Sequence, residues 1–397
     1  MQIRFNEKEK KIIECIEKIT GVKPPVEKIL KEGITSVKTF HIKHILILSS
    51  SYHYFQIEEG RLKSFLSEWY FNILNEPPPK ITHVETQNEC IEFLNENKVD
   101  LVIIFNEPEE IKILTLAKKI KKILDVPIVL IGNNTTNLLK IIEKDNEKLF
   151  TKILTWNGDG KIILAVLQLI EDIHAIKQNP LFAEKCKILL LIEDSIQYYS
   201  TYLLLIYDEI WSFFNTIMQD SLNEEQRKQR LYQKPVILHA INFEEGKNFY
   251  NLYKKNIIGI ITDNEITNTK KKIKQTGFEL AKEIRKEKSN LPILIQSSEP
   301  IKNNELINEN IQFVLKNSAT LALIIKDFVN ICIGPRDIHV KDSIGKDIFI
   351  IKNIKDLEET VLIVNEKILE DLTNKNLFSR WLNARGEFEL AASSRNK

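Results

Sequence analysis

At 397 residues, with 43% hydrophobic and 28% charged side chains, the chain is too long for one ordinary compact core and too apolar to stay disordered, so two domains with appendages are expected. Fifty-six basic against fifty-five acidic side chains leave a formal net charge of +1, so no global field steers the chain toward nucleic acid or an acidic membrane. The four cysteines, Cys15, Cys90, Cys186 and Cys332, make no CxxC pair and no ligand spacing with histidine, and read as reduced packing residues.

The opening segment, MQIRFNEKEKKIIE, is charged where an export signal needs an apolar core, and no uncharged apolar run reaches about 18 residues. A cytoplasmic protein without a membrane span is the expectation. From Lys8 to Glu32 apolar and charged positions alternate at helical spacing, interrupted at Gly21–Pro25, which predicts a helical arm within residues 1–43.

From His44 the pattern turns to short apolar runs separated by amphipathic stretches: HILIL (44–48), ITHVE (81–85), DLVIIF (100–105), PIVLIG (127–132) and FTKIL (150–154). Such alternation predicts a parallel sheet covered on both faces, a doubly wound, five-stranded α/β unit over residues 44–178. The plan repeats over residues 187–333 in KILLLIE (187–193), VILHA (236–240), IIGIIT (257–262), PILIQ (292–296) and IQFVL (311–315), as an internal duplication predicts. The copies differ after their first strands. In the second copy YYSTYLLLIYDEIWSFFNTIM predicts a lengthened first helix, whose aromatic stripe reads as core or a partner-helix face. Beyond Gly334, DIHVKDSIGKDIFII predicts a hairpin turning at SIG, then two helical stretches, making a small α+β tail over 334–397.

In doubly wound sheets ligands bind at the carboxyl ends of the strands. In the second copy the first strand ends in Glu193-Asp194, the third in Asp263, the fourth in Ser297 and the fifth in Lys316. Three converging carboxylates repel one another unless a cation sits among them, and Mg²⁺ suits such an oxygen-rich site. A carboxylate beside the metal can act as a nucleophile toward phosphorus, with the Lys316 ammonium and the Ser297 hydroxyl at the other edges of the phosphoryl group. Singly, a strand-end Asp or Ser caps the next helix and a strand-end Lys is solvated. Together, at four strand ends, they point to one pocket.

The motifs IEDS (192–195), ITD (261–263), IQSSEP (295–300) and LKNS (315–318) resemble those of the receiver domains of bacterial response regulators, across the whole second copy. The resemblance implies a flavodoxin-like receiver fold, Glu193 and Asp194 as metal carboxylates, Asp263 as phosphoacceptor and metal ligand, and the backbone carbonyl of Glu265 completing a Mg²⁺ site. Ser297 and Lys316 would hold the phosphoryl group, and a sensor histidine kinase or another phosphodonor protein would be the partner. Two features depart from the receiver pattern: Asn317 follows the lysine where receivers carry proline, and fourteen positions separate Asp263 from Gly277. Longer phrases, including WNGD (156–159), LPILIQSSEP and FSRWLNARGEFELA, are similar to the tandem receiver-like N-terminal region of bacterial fusion proteins of the phosphoenolpyruvate synthase or pyruvate, phosphate dikinase type. That likeness runs over about Ile45–Ala392 and implies a fused or associated enzyme of that kind. The chain shows neither a Gly-rich nucleotide loop nor a phosphohistidine motif, so no turnover beyond self-phosphorylation is expected of it.

The first copy lacks these residues. Its strand ends carry Ser49-Ser50-Ser51, Phe105-Asn106, Gly132-Asn133 and Thr155, while Asp100 opens its strand at the opposite edge and Asp159 is placed to cap the helix after the fifth strand. The expectation is a receiver fold with its chemistry removed, kept for interaction. The overall expectation is a two-component phosphorelay protein that takes a phosphoryl group on Asp263. The alternatives are the regulatory front of a phosphoenolpyruvate synthase-like phosphotransferase and a non-phosphorylated scaffold. No helix-turn-helix with a basic face is present, and the oligomeric state stays open, a homodimer included.

Overall fold

The protein is described by a computed structural model covering residues 40–106, 110–178, 186–219, 227, 230–231, 233–266, 275–287, 290–300, 311–334, 336–342 and 344–394. The arm expected over residues 1–43 lies, except for 40–43, outside the described residues. The chain divides into two compact units, one built from Lys38–Trp211 and Val236–Lys326, the other including Ser212–Pro235 and Asp327–Lys397.

The larger unit is α/β and holds two five-stranded, all-parallel sheets. The first runs β1 (His44–Leu48), α1 (Ser51–Glu59), α2 (Leu62–Ser67) passing into a π-helical stretch (Glu68–Leu74), β2 (Lys80–Val84), α3 (Gln87–Glu96), β3 (Leu101–Phe105), α4 (Glu110–Ile123), β4 (Ile128–Gly132), α5 (Thr135–Lys144), β5 (Lys152–Thr155) and α6 (Lys161–Gln178). Its strand order is β2-β1-β3-β4-β5. The second runs β6 (Ile188–Ile192), α7 (Ile196–Gln219), β7 (Val236–Ala240), α8 (Phe243–Tyr253), β8 (Ile257–Asp263), a short antiparallel pair β9 (Glu265–Ile266) and β10 (Gln275–Thr276), α9 (Gly277–Glu287), β11 (Ile293–Ser297), β12 (Gln312–Leu315) and α10 (Leu321–Ile333). Its order, β12-β11-β8-β6-β7, is the same 2-1-3-4-5 succession, consistent with two tandem flavodoxin-like domains.

Burial follows strand position. The interior strands β3, β4, β6 and β11 are buried at every residue, as expected of runs covered by helices on both faces. The edge strands β2 and β12 are only partly buried. The other edge of the second sheet, β7, is buried throughout. Its Ile237 N–H, on the side away from β6, donates to the buried Asp172 carboxylate of α6 at 3.3 Å, and the Tyr207 hydroxyl of α7 donates to the same oxygen at 2.9 Å. An acceptor from the first copy thus closes an edge that would otherwise present an open N–H. On the facing side, α7 reaches β5: the Tyr199 hydroxyl donates to the Ile153 carbonyl, and Ser200 Oγ accepts the Thr155 N–H at 3.0 Å.

Local signals set the element ends. Thr86 and Glu89 form a reciprocal capping box at the start of α3. Asp159 caps α6 by accepting the Lys161 N–H at 2.9 Å. Asp100 instead ties the entry of β1, accepting the N–H groups of Lys43 and His44 at 2.8 and 2.9 Å.

The smaller unit contains the hairpin β13 (Ile338–Lys341) and β14 (Asp347–Ile351), with Gly345 at φ 87° in its turn. Where the sequence pattern suggests two helical stretches, four short helices follow: α11 (Ile354–Ile363), α12 (Glu366–Asn374), α13 (Leu377–Ala384) and α14 (Phe388–Ser393). Asparagines make the first two breaks, and Gly386 at φ 78° makes the third. Asn365 caps α12 by accepting the Lys367 N–H at 2.9 Å, and Asn376 takes the left-handed conformation before α13. These elements pack around the fully buried Trp381.

Candidate functional site

The second sheet brings together the strand-end acids named from the sequence. Carboxylate oxygens of Glu193, Asp194 and Asp263 lie within 4.8 Å of one another. Glu193 follows β6 and extends its ladder, its N–H donating to the Ala240 carbonyl at 3.0 Å. Asp263 closes β8, directly opposite Gln296 of β11 in the register. Lys316, one residue past β12, reaches back between them: its Nζ lies 2.7 Å from Asp263 Oδ2 and 2.8 Å from Glu193 Oε2.

Each carboxylate is further held by donors. Glu193 accepts the Ser195 N–H at 3.0 Å and the Gln296 amide at 2.8 Å, while Asp263 Oδ1 accepts the Glu265 N–H at 3.2 Å. Glu265 therefore touches the site through its N–H. Ser297 is buried at the adjacent strand end, and its hydroxyl accepts the Glu299 N–H at 3.1 Å. Asp194 is half-buried at the rim.

Three carboxylates face one ammonium, and the electrostatics show the imbalance. Burial, and then the neighbouring Asp263 charge, push the Glu193 carboxyl up to about 7 despite the opposing pull of Lys316. Burial likewise raises Asp263, with Lys316 opposing. Burial alone would lower Lys316, but the charges of Glu193 and Asp263 outweigh it and hold the ammonium protonated. All-oxygen donors, an excess of negative charge and a half-open rim fit a hard divalent cation such as Mg²⁺.

The segment after Asp263 is pinned to it. The Gly277 N–H donates to the Asn264 carbonyl at 2.9 Å, and a Cβ on Gly277 would lie 2.1 Å from the Asp263 carbonyl oxygen. Only glycine permits this approach. The fourteen-position interval is thus anchored at both ends by the β9–β10 pair, while residues 267–274 lie outside the described residues.

Several participants escape a reading of strand ends alone. Gln296 precedes Ser297 and faces the same way as Asp263, a placement that needs the strand register. Tyr198 puts its ring 4.3 Å from Lys316 Nζ, although its stripe reads as core. His239, buried and held neutral by that burial, makes a 2.8 Å hydrogen bond through Nε2 to the Glu193 carbonyl and packs on Tyr199 at 4.4 Å.

The first sheet repeats the last arrangement without the acids. His83, at the register position of His239, sits 2.9 Å from the Ser49 carbonyl through Nε2 and stacks on Tyr54 at 4.0 Å. Around it Ser49 and Ser50 stand where Glu193 and Asp194 do, Phe105 where Asp263 does, and Gly132 where Ser297 does. The register puts Trp156, rather than Thr155, at the place of Lys316. Phe105 and Trp156 meet edge to face at 5.4 Å, with His53 packed against both. An aromatic pair fills the volume that an ion pair fills in the second sheet.

No family model matches the sequence, and no curated protein matches it. Among solved structures, one titled "GsuK Channel" aligns at 11% identity and a TM-score of 0.21, covering 74% of this chain and 70% of its own. A possible leucine/isoleucine/valine-binding protein from Rhodopirellula baltica SH 1 aligns at 11% identity and a TM-score of 0.23, covering 86% and 83%. Likeness this low says nothing about what the chain binds. No helix among the described residues is long and apolar enough to cross a membrane.

Proposed function

We propose that the second sheet is a phosphoryl-accepting receiver, with Asp263 as the acceptor, and that the chain relays this modification as a change in docking. The observation that carries the reading is Lys316 held between Asp263 and Glu193 at the carboxyl ends of a doubly wound sheet. An Asp263 carboxylate oxygen forms a bond to phosphorus while the bond from phosphorus to the donor's nitrogen or oxygen breaks, the electron pair leaving with the donor. Lys316 stabilises charge on the transferring group, and Ser297 offers a hydroxyl beside it. Glu193, Asp194 and Asp263, with the Glu265 backbone carbonyl, would hold Mg²⁺, which when bound neutralises charge on the phosphoryl oxygens. A histidine kinase or a small acyl phosphate would be the donor.

Incubation with acetyl phosphate and Mg²⁺ should add one phosphoryl mass to the wild type and none to Asp263→Asn. Beryllofluoride with Mg²⁺ should raise the thermal stability of the wild type only. An unlabelled wild type, under conditions that label a control receiver, sinks the reading. It would favour a scaffold, in which the Lys316 ion pairs with Asp263 and Glu193 serve the fold alone.

A further inference from the structure

Tyr202 lies on α7, one turn beyond Tyr198, and the two rings stack at 6.0 Å with an interplanar angle of 23°. Its side chain is fully buried, yet its hydroxyl has no hydrogen-bond partner among the described residues. The other tyrosines on this buried stripe are satisfied: Tyr199 donates to the Ile153 carbonyl and Tyr207 to Asp172. Tyr198 in turn puts its ring 4.3 Å from Lys316 Nζ, so the stacked pair leads to the acidic cluster; burial, then the Glu193 charge, with Tyr198 and Asp263 behind it, raise the Tyr202 hydroxyl above its ordinary range. A polar atom next to Glu193 is also unmatched. Gln296 gives its amide N–H to Glu193 Oε2, which leaves its Oε1 buried without a partner.

A buried hydroxyl left unpaired is costly, so two unmatched buried polar atoms in the surroundings of the carboxylates call for an occupant that supplies donors. Mg²⁺ retains several of its waters, and those waters are strong donors needing acceptors just outside the metal's own ligands. We propose that Tyr202 is a positioning residue for a divalent cation at Glu193, Asp194 and Asp263, its hydroxyl accepting a hydrogen bond from a water ligand of that cation. Gln296 Oε1 serves the neighbouring water. The inference rests on the cation-binding half of the function proposed above and adds the residues that orient the cation's waters.

The test uses the full chain, with Mg²⁺ alone as the probe, and reads both thermal unfolding of the metal-free protein and the Mg²⁺ dissociation constant by calorimetry. Tyr202→Phe keeps the ring and removes an unpaired hydroxyl. It should therefore leave the metal-free protein as stable as the wild type, or more so, while weakening Mg²⁺ binding about tenfold or more. Tyr207→Phe is the control, since its hydroxyl is already bonded to Asp172: it should lower stability and leave Mg²⁺ affinity unchanged. Equal Mg²⁺ affinity in Tyr202→Phe and wild type overturns the role of Tyr202 while leaving the cation site standing. A wild type that does not bind Mg²⁺ overturns both. A Tyr202→Phe protein less stable without metal than the wild type shows that the hydroxyl is already used inside the fold, and also overturns the proposal.

Discussion

Trp156 and Lys316 occupy the same register position in the two sheets: each donates its backbone N–H to the carbonyl of the residue closing the neighbouring strand, Gly132 at 2.8 Å and Ser297 at 2.9 Å. One position carries an indole packed on Phe105, the other an ammonium packed on Asp263. A buried ion pair is rarely more stable than a well-packed apolar pair of similar volume, so stability alone does not explain why the second sheet keeps its charges. Chemistry does.

Removing the cation of this pair should be severe. Lys316→Ala leaves Glu193 and Asp263 buried without their counter-charge and should cost about 3–5 kcal/mol at neutral pH, read by denaturant unfolding. Added Mg²⁺ should restore part of the loss. Destabilisation well under 1 kcal/mol, the range of a surface pair, would contradict the buried geometry.

Acidity should act in opposite senses on the metal-free and metal-bound protein. Glu193 has its folded pKa raised to about 7 from an ordinary 4.5, so the folded state holds this proton more tightly than the unfolded one. Its contribution to metal-free stability is fully present below pH 4.5 and is lost as pH rises through about 7. Mg²⁺ requires the carboxylate and must displace that proton, so its affinity should rise with pH up to about 7 and level off above. Calorimetric titration across this window checks the trend, and Glu193→Gln should flatten the metal-free stability profile over the same range.

Gly277 should tolerate no side chain. Gly277→Ala places a Cβ 2.1 Å from the Asp263 carbonyl oxygen, so the backbone carrying the acceptor must shift. A loss of about 1–3 kcal/mol is expected, with loss of acetyl phosphate labelling even where the protein still folds. Labelling at the wild-type rate would show that the β9–β10 pair can move without moving Asp263.

Asp172→Ala should strand two donors, the Tyr207 hydroxyl and the Ile237 N–H, at a cost of about 2–6 kcal/mol. Hydrogen exchange at the Ile237 amide should accelerate more than at the interior amides of β6.

All ten parallel strands are legible in the sequence, the interior ones as short apolar runs and the edge strands β2 and β12 by their spacing between amphipathic stretches; β1 and β7 coincide with their runs, and the rest differ by a residue or two at an end. The acids and the lysine are legible for the same reason: they terminate such runs. The sequence points to Thr155 rather than Trp156 because FTKIL ends at Leu154, one residue before β5 does, so counting from the run misses the register. Gln296 stays hidden because its contact with Glu193 depends on the strand register, and the unpaired Tyr202 hydroxyl because periodicity does not encode hydrogen bonds. The first two breaks between the tail's helices rest on Asn365 and Asn376, which a polar stretch does not announce.

The Asp172 contact means that the second sheet borrows its outer boundary from the first. A fragment beginning at residue 187 would retain every residue of the acidic cluster yet leave the Ile237 N–H on the outer edge of the apolar β7 without its Asp172 acceptor, open to pairing with another strand. The copy without the strand-end acids thus supports the fold of the other, and dissection at the repeat boundary should lower the stability and solubility of the second sheet before any question of its chemistry arises.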